Sequence, residues 1–219
     1  METDGSLMLF WLDAYDKGDG TVFLFGKVLN KENGKYLSCS LAVHNIERSV
    51  FALPKKEGNL SAFHSEFTSL ALKMRIDKFK IKVCRKKYAF ELPNVPAESE
   101  YYEIMYSYGM PTLPNTLNGE TFHKVFGTNT TALEHLIVKG KLMGPCWLKI
   151  SNVMASGKNI SWCKVEAECN GIECIGFSDE DFPAPPLTVM SINLKTHLNK
   201  EHKANEVVCA SFVTWTNGM

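Results

Sequence analysis

Asn33-Gly34, set between two runs of alternating apolar and polar residues, constrains this fold more than any other feature of the sequence. Asn-Gly accepts the positive φ angles that tight hairpin turns require. The runs on either side, Thr21–Leu29 and Lys35–His44, therefore predict paired antiparallel strands. Leu37, Cys39, Leu41 and Val43 share one face of the second run, because strand side chains alternate with period two. Upstream, Leu7–Tyr15 predicts another strand, closed by a turn at Asp16–Gly20 around Gly-Asp-Gly. Downstream, Arg48–Leu53 predicts a fourth strand that stops at Pro54. The expected result is an antiparallel meander with one buried face.

The pattern then changes. Phe63, Phe67, Leu70 and Met74 recur at helical spacing and predict a helix over Leu60–Met74. Ile76–Phe90 returns to alternation, and Tyr101–Tyr108 predicts a further strand. From Leu117 to Glu166 the order reads loop, helix, turn, strand, loop, strand. Thr128 or Asn129 is the expected helix cap, since a short side-chain oxygen accepts a first-turn N–H. Leu133, Leu136 and Ile137 form the expected buried stripe, and Gly140 and Gly144-Pro145 the stop. The two closing strands are expected to carry Trp147 and Trp162.

Glu168–Pro186 is acidic and ends in Pro183-Ala184-Pro185-Pro186, which predicts a linker or domain crossing. Leu187–Leu194 and Val207–Trp215 predict two strands around a polar loop, His197–Asn205. Two strands bury no core alone, so this end reads as the start of a further domain that continues.

Composition sets wide bounds. The chain has 219 residues, 45% hydrophobic and 22% charged, with 24 basic and 24 acidic side chains. That is ordinary for a domain with a packed core, and a nucleic-acid role requires a local basic patch. The acidic start, Met-Glu-Thr-Asp-Gly-Ser, lacks the basic and apolar regions of a signal peptide. The seven cysteines are odd in number and lie mostly in apolar strand patterns, which predicts reduced, buried, intracellular thiols.

Lys73–Lys87 is that local patch, with eight basic residues against the single Asp77. Lys78, Lys80 and Lys82 fall on one strand face, about 6.6 Å apart at roughly 3.3 Å per residue. This spacing suits an extended nucleic-acid backbone, and Arg85, Lys86 and Lys87 extend the row. The competing reading is a solvated face or a lysine-guarded edge. The aromatic clusters at Phe10-Trp11, Phe23, Phe25 and Tyr101–Tyr108 read better as core than as base-stacking platforms. Cysteine and histidine spacing gives no zinc site, and no phosphate loop, dinucleotide fingerprint or serine-nucleophile motif occurs. The predicted strand Val189–Lys195 has Ser191, Asn193 and Lys195 at alternate positions, where a two-metal nuclease needs carboxylates.

Several blocks carry a resemblance. They include Phe10-Trp11-Leu12-Asp13-Ala14-Tyr15, Val22-Phe23-Leu24-Phe25-Gly26-Lys27-Val28, Gly119-Glu120-Thr121-Phe122 and Val125-Phe126-Gly127-Thr128-Asn129-Thr130. Further on come Gly144-Pro145-Cys146-Trp147-Leu148, Ser161-Trp162-Cys163-Lys164-Val165-Glu166 and Pro185-Pro186-Leu187. In this order they resemble the N-terminal region of B-family replicative DNA polymerases of the alpha type. The resemblance implies an α+β fold, with a β-rich mixed N-terminal domain over residues 1–168. A linker over 169–186 and the first strands of an inactive ribonuclease H-like exonuclease domain over 187–219 follow. It implies that Asn193 and Lys195 stand where proofreading relatives have acids.

The same resemblance implies a full-length nuclear enzyme that extends RNA primers with deoxynucleotides, using Mg2+ held by palm carboxylates outside this sequence. Its partners are then template DNA, the RNA–DNA primer, the other polymerase domains, primase and an accessory subunit. This segment needs no cofactor of its own and is expected to be non-catalytic, framing or binding template nucleic acid. The alternatives are a structural module that packs against the polymerase core, or an independent single-strand-binding domain.

Overall fold

Strand patterning dominates the computed structural model, which describes residues 5–178 and 182–216. The chain divides into two units, residues 1–180 and 181–219. In the first, β1 (Leu7–Asp16), β2 (Val22–Asn30) and β3 (Lys35–His44) form the expected antiparallel meander. Leu9, Leu24, Cys39, Leu41 and Val43 are fully buried on its inner face. A bulge in β1 between Trp11 and Asp13 lies opposite Gly26, where a Cβ would stand 2.0 Å from the Phe10 carbonyl oxygen. Only glycine allows the two backbones to approach this closely.

The fourth strand, β4 (Glu47–Pro54), leaves this sheet, so the meander stops at three strands. Asn45, with φ of 57°, turns the chain between β3 and β4. The following Ile46 is buried, and its N–H donates to the Gly20 carbonyl over 2.9 Å. The strand β4 joins β5 (Lys80–Lys87), β6 (Glu98–Ser107) and β7 (Phe122–Phe126) in a four-stranded antiparallel sheet of order β5-β6-β4-β7. Helix α1 (Leu60–Lys73) covers one face of it. The Phe63 ring lies 4.7 Å from Tyr102, 5.4 Å from Phe122 and 5.7 Å from Phe67. Burying each such ring contributes about 2–3 kcal/mol. Tyr101, Tyr102, Tyr106 and Tyr108 are all buried, in line with the core reading of these tyrosines.

The chain then returns to the first sheet. Helix α2 (Ala132–Gly140) packs Ala132 and Leu136 on the inner face of the larger sheet. Its cap is Thr131, not Thr128 or Asn129. The Thr131 hydroxyl accepts from the Glu134 N–H, and the Glu134 carboxylate accepts from the Thr131 N–H. This reciprocal box satisfies two first-turn donors at once, which a single cap does not. Asp16 accepts a third, from the Leu133 N–H at 2.9 Å. At the other end Lys141, not Gly140, takes the left-handed conformation. The buried stripe is Ala132, His135 and Leu136, while Leu133 and Ile137 are half-buried.

Strands β8 (Trp147–Ile150), β9 (Met154–Ala155), β10 (Val165–Asn170) and β11 (Ile175–Phe177) complete a seven-stranded sheet, order β11-β8-β1-β2-β3-β10-β9. The pairing of β10 with β3 is parallel. A parallel pair needs a crossover, and here the smaller sheet and α2 lie within it. Residues 169–177, expected in a linker, therefore belong to this unit as the end of β10, a 3-10 turn over Ile172–Cys174, and β11. Their apolar side chains Cys169, Cys174 and Ile175 point into the core, which outweighs the polar composition of the stretch. The side chains of Cys169 and Cys174 meet across the turn. Trp162 lies in a loop rather than a strand.

The second unit is a hairpin of β12 (Thr188–Asn199) and β13 (Ala204–Thr216). The polar loop shrinks to residues 200–203, because alternation continues through His197 and Leu198 into β12. In β12, Val189, Met190, Ile192 and Leu194 are exposed, each more than half. A two-stranded hairpin has no second layer to cover either face.

Candidate nucleic-acid interface

The basic run folds as the edge strand β5, next to β6. Its register with β6 is unbroken from Lys80 opposite Met105 to Lys87 opposite Glu98. Alternation therefore places Lys80, Lys82 and Lys86 on the face away from α1, and Arg85 and Lys87 on the other. Lys78 precedes the strand and falls outside the row. Lys80 is ion-paired with Glu47 at 3.1 Å, and Arg85 with Glu98 at 3.1 Å. Among the six cations singled out in the sequence, Lys82 and Lys86 thus share one face with no carboxylate of the described residues within ion-pair distance.

That face carries rings between its cations. The Lys86 ammonium lies over Phe51 at 5.2 Å from the ring centroid, and Lys124 lies over Phe126 at 5.8 Å. Phe51 and Phe126 stand directly opposite each other on β4 and β7. Tyr88 approaches Phe126 at 5.3 Å and Phe90 at 5.9 Å, and Phe90 is largely exposed. A cation over a ring face is attracted by the ring's negative quadrupole. Sequence reasoning missed Phe51, Tyr88, Lys124 and Phe126. The alternation of Lys124 with Phe126 was present in the sequence, but only the β4–β7 pairing sets it beside β5.

One buried acid tunes the face. The Glu103 carboxylate accepts from the Ser49 hydroxyl and meets Lys139 of α2 at 3.4 Å. Burial pushes its pKa up, but the Ser49 hydrogen bond and the charges of Lys139 and Lys86 outweigh this and hold it below the usual carboxylate range. The same burial and the Glu103 charge raise the neighbouring Cys84 thiol. Glu103 thereby anchors α2 to the sheet through Lys139.

A groove of about 810 Å³ adjoins this face, between the 115–118 loop and β7 with its following turn. Lys124 and Phe126 line both groove and face. Asn115, Asn118, Asn129 and Thr130 add neutral donors and acceptors to its walls. The Glu66 carboxylate of α1 holds the nearby 119–121 turn, accepting from the Glu120 and Thr121 N–H groups and the Thr121 hydroxyl.

Asn193 and Lys195 lie on one face of β12, opposite Ser211 and Cys209. An amide and an ammonium there do not suit a divalent cation. Among the described residues, no three His, Cys, Asp or Glu side chains gather to hold a metal. Asn193 and Lys195 therefore do not fit a two-metal nuclease site, and no metal-dependent step is assigned to them.

Residues 123–219 match the family model for the exonuclease domain of DNA polymerase family B. This stretch begins in β7 and is longer than the 187–219 expected from sequence. The chain is 42% identical to the DNA polymerase alpha catalytic subunit of Xenopus laevis, over 94% of this chain and 15% of that protein. It is 36% identical to the Arabidopsis thaliana subunit over 99% of this chain and 17% of the relative. For Saccharomyces cerevisiae the figures are 31%, 99% and 15%. The chain therefore spans about one sixth of the length of these curated relatives. The family B DNA polymerase of Pyrobaculum calidifontis shares the fold, with a TM-score of 0.58 and 14% identity, over 95% of this chain and 25% of that structure. Matched almost from end to end, this chain belongs to the B-family DNA polymerases and is a segment of the alpha catalytic-subunit type.

Proposed function

We propose that this chain is a non-catalytic segment of a nuclear DNA-directed DNA polymerase, and that it frames single-stranded template nucleic acid. The observation that carries this reading is the interleaving of Lys82, Lys86 and Lys124 with Phe51, Phe126 and Tyr88 on one face of the smaller sheet. Lysines neutralise phosphates, and ring faces stack on bases without sequence preference. In the full-length enzyme, deoxynucleotide addition to an RNA primer is assigned to carboxylates elsewhere, with Mg2+ as their cofactor. Primase and the accessory subunit are assigned to surfaces outside this segment.

Fluorescence anisotropy with a labelled primer–template bearing a single-stranded overhang tests this reading. Neutralising three phosphates gives a salt slope of about −2 on single strands. The Lys82→Glu, Lys86→Glu variant should lose most of that binding. Equal binding by the variant and the native chain would move the contact to another surface.

A second reading is a packing module for the polymerase core. It draws on the exposed apolar side chains of the β12–β13 hairpin, among them Ile192, Leu194, Phe212 and Trp215. Absence of binding by either protein at high micromolar concentration would favour it over template framing.

A further inference from the structure

Trp162 is fully exposed, at 103% of its reference area, yet the loop that carries it is closely tied down. The Glu166 carboxylate accepts from the Ile160 N–H at 3.1 Å, the Ser161 N–H at 2.6 Å and the Ser161 hydroxyl at 2.6 Å. The Ser161 oxygen in turn accepts from the Cys163 N–H at 3.1 Å, and Ser38 of β3 accepts from the Lys164 N–H at 3.0 Å. The Ser161 hydroxyl and N–H, outweighing slight desolvation, hold the Glu166 carboxyl below the ordinary range, so the clamp is charged at neutral pH. Five hydrogen bonds thus fix the backbone on both sides of an indole that touches water on every side.

Ile160 and Met154 are also about half exposed or more, and Lys158 and Lys164 flank Ile160 and Trp162 in the chain. A large exposed aromatic on a rigid loop, with exposed aliphatic residues nearby in the chain, has the composition of an interface anchor. It lacks the second ring and the row of cations that a base-stacking site needs, both of which lie on the smaller sheet instead. The chain spans 15% of its Xenopus relative, so most of such a polypeptide lies outside the segment.

We infer that Trp162 docks into an apolar cleft with a carboxylate rim, formed by the rest of the same polymerase polypeptide. The indole fills the cleft, Met154 and Ile160 border it, and Lys158 and Lys164 meet the rim. The loop is already ordered by Glu166, so docking requires little further ordering of the backbone.

The test uses the full-length polypeptide with p-benzoylphenylalanine introduced at position 162, irradiated with primer–template DNA present. The expected adduct joins position 162 to a peptide of the same polypeptide outside residues 1–219. An adduct to DNA, to a second molecule or within residues 1–219, or no adduct, would overturn the inference. In parallel, Trp162→Ala in the full-length polypeptide should speed hydrogen exchange of the 156–164 peptide about ten-fold, with Trp162→Phe restoring most of the protection. Unchanged exchange would also overturn it. Neither readout depends on template binding, so failure here leaves the proposed function standing, and the reverse.

Discussion

The ammonium of Lys86 lies 5.2 Å from the centre of the Phe51 ring, although β6 separates their two strands. Lys80, on the same face of β5, instead reaches Glu47. The two lysines therefore differ in what they offer a phosphate. Lys86→Glu should flatten the salt slope of single-strand binding by about 0.7, the loss of one contact. Lys80→Glu should change it by less than half as much, because its charge is already partly compensated. Anisotropy titrations across salt concentration compare the two.

Glu66 ties α1 to the turn before β7 with three hydrogen bonds. Burial raises its pKa, but these bonds prevail and hold the carboxyl below its ordinary range. Glu66→Ala should destabilise the chain by on the order of 2 kcal/mol, since charge-assisted bonds to backbone N–H groups are lost together. Urea unfolding measures this. A folded-state pKa below the unfolded one gives stability that is present above the unfolded value. That stability is lost as pH falls through the folded value, so the alanine variant should show a shallower acid limb.

Gly26 admits no side chain. Gly26→Ala places a methyl group against the Phe10 carbonyl and should cost about 4 kcal/mol or prevent folding, as backbone clashes at a bulge do. Gly157→Ala is the control, because a Cβ there meets nothing within 4 Å. Thermal unfolding should separate the two clearly.

His135 is buried on α2, and its pKa falls to about 4 through burial first and the Lys139 charge second, against the opposing pull of Glu103. The folded chain therefore holds this imidazole neutral, while the unfolded chain protonates it near pH 6.5. Stability is full above that value and declines as pH drops towards 4. His135→Leu should flatten the stability profile between about pH 6.5 and 5, with carboxylate effects remaining at lower pH. Denaturant midpoints at half-unit pH steps provide the readout.

Much of the local structure was legible. The inner face of β3, the Phe63–Phe67 stripe of α1 and the antiparallel run of β1, β2 and β3 follow from period and turn chemistry, although the fourth strand expected there belongs to the other sheet. The helix cap was misplaced because Thr128, Asn129 and Thr131 are all competent, and only Glu134, three residues after Thr131, completes a reciprocal pair. The basic strand was legible as a row of lysines, but its rings were not. Phe51 and Phe126 lie 75 positions apart and meet only through the β4–β7 register.

The sequence alone determined the longer strands and both helices, the apolar face of most of them, and the polymerase family through blocks spread along the chain. Side-chain period and turn geometry are local properties, so a single segment carries that information. Tertiary structure decided that β4 leaves the meander, that β10 returns parallel to β3, and that residues 169–177 join the core. It also decided that Lys80 and Arg85 are paired while Lys82 and Lys86 share a face with Phe51. Strand partners and ion pairs form between distant positions, and their energies depend on neighbours that no single segment contains.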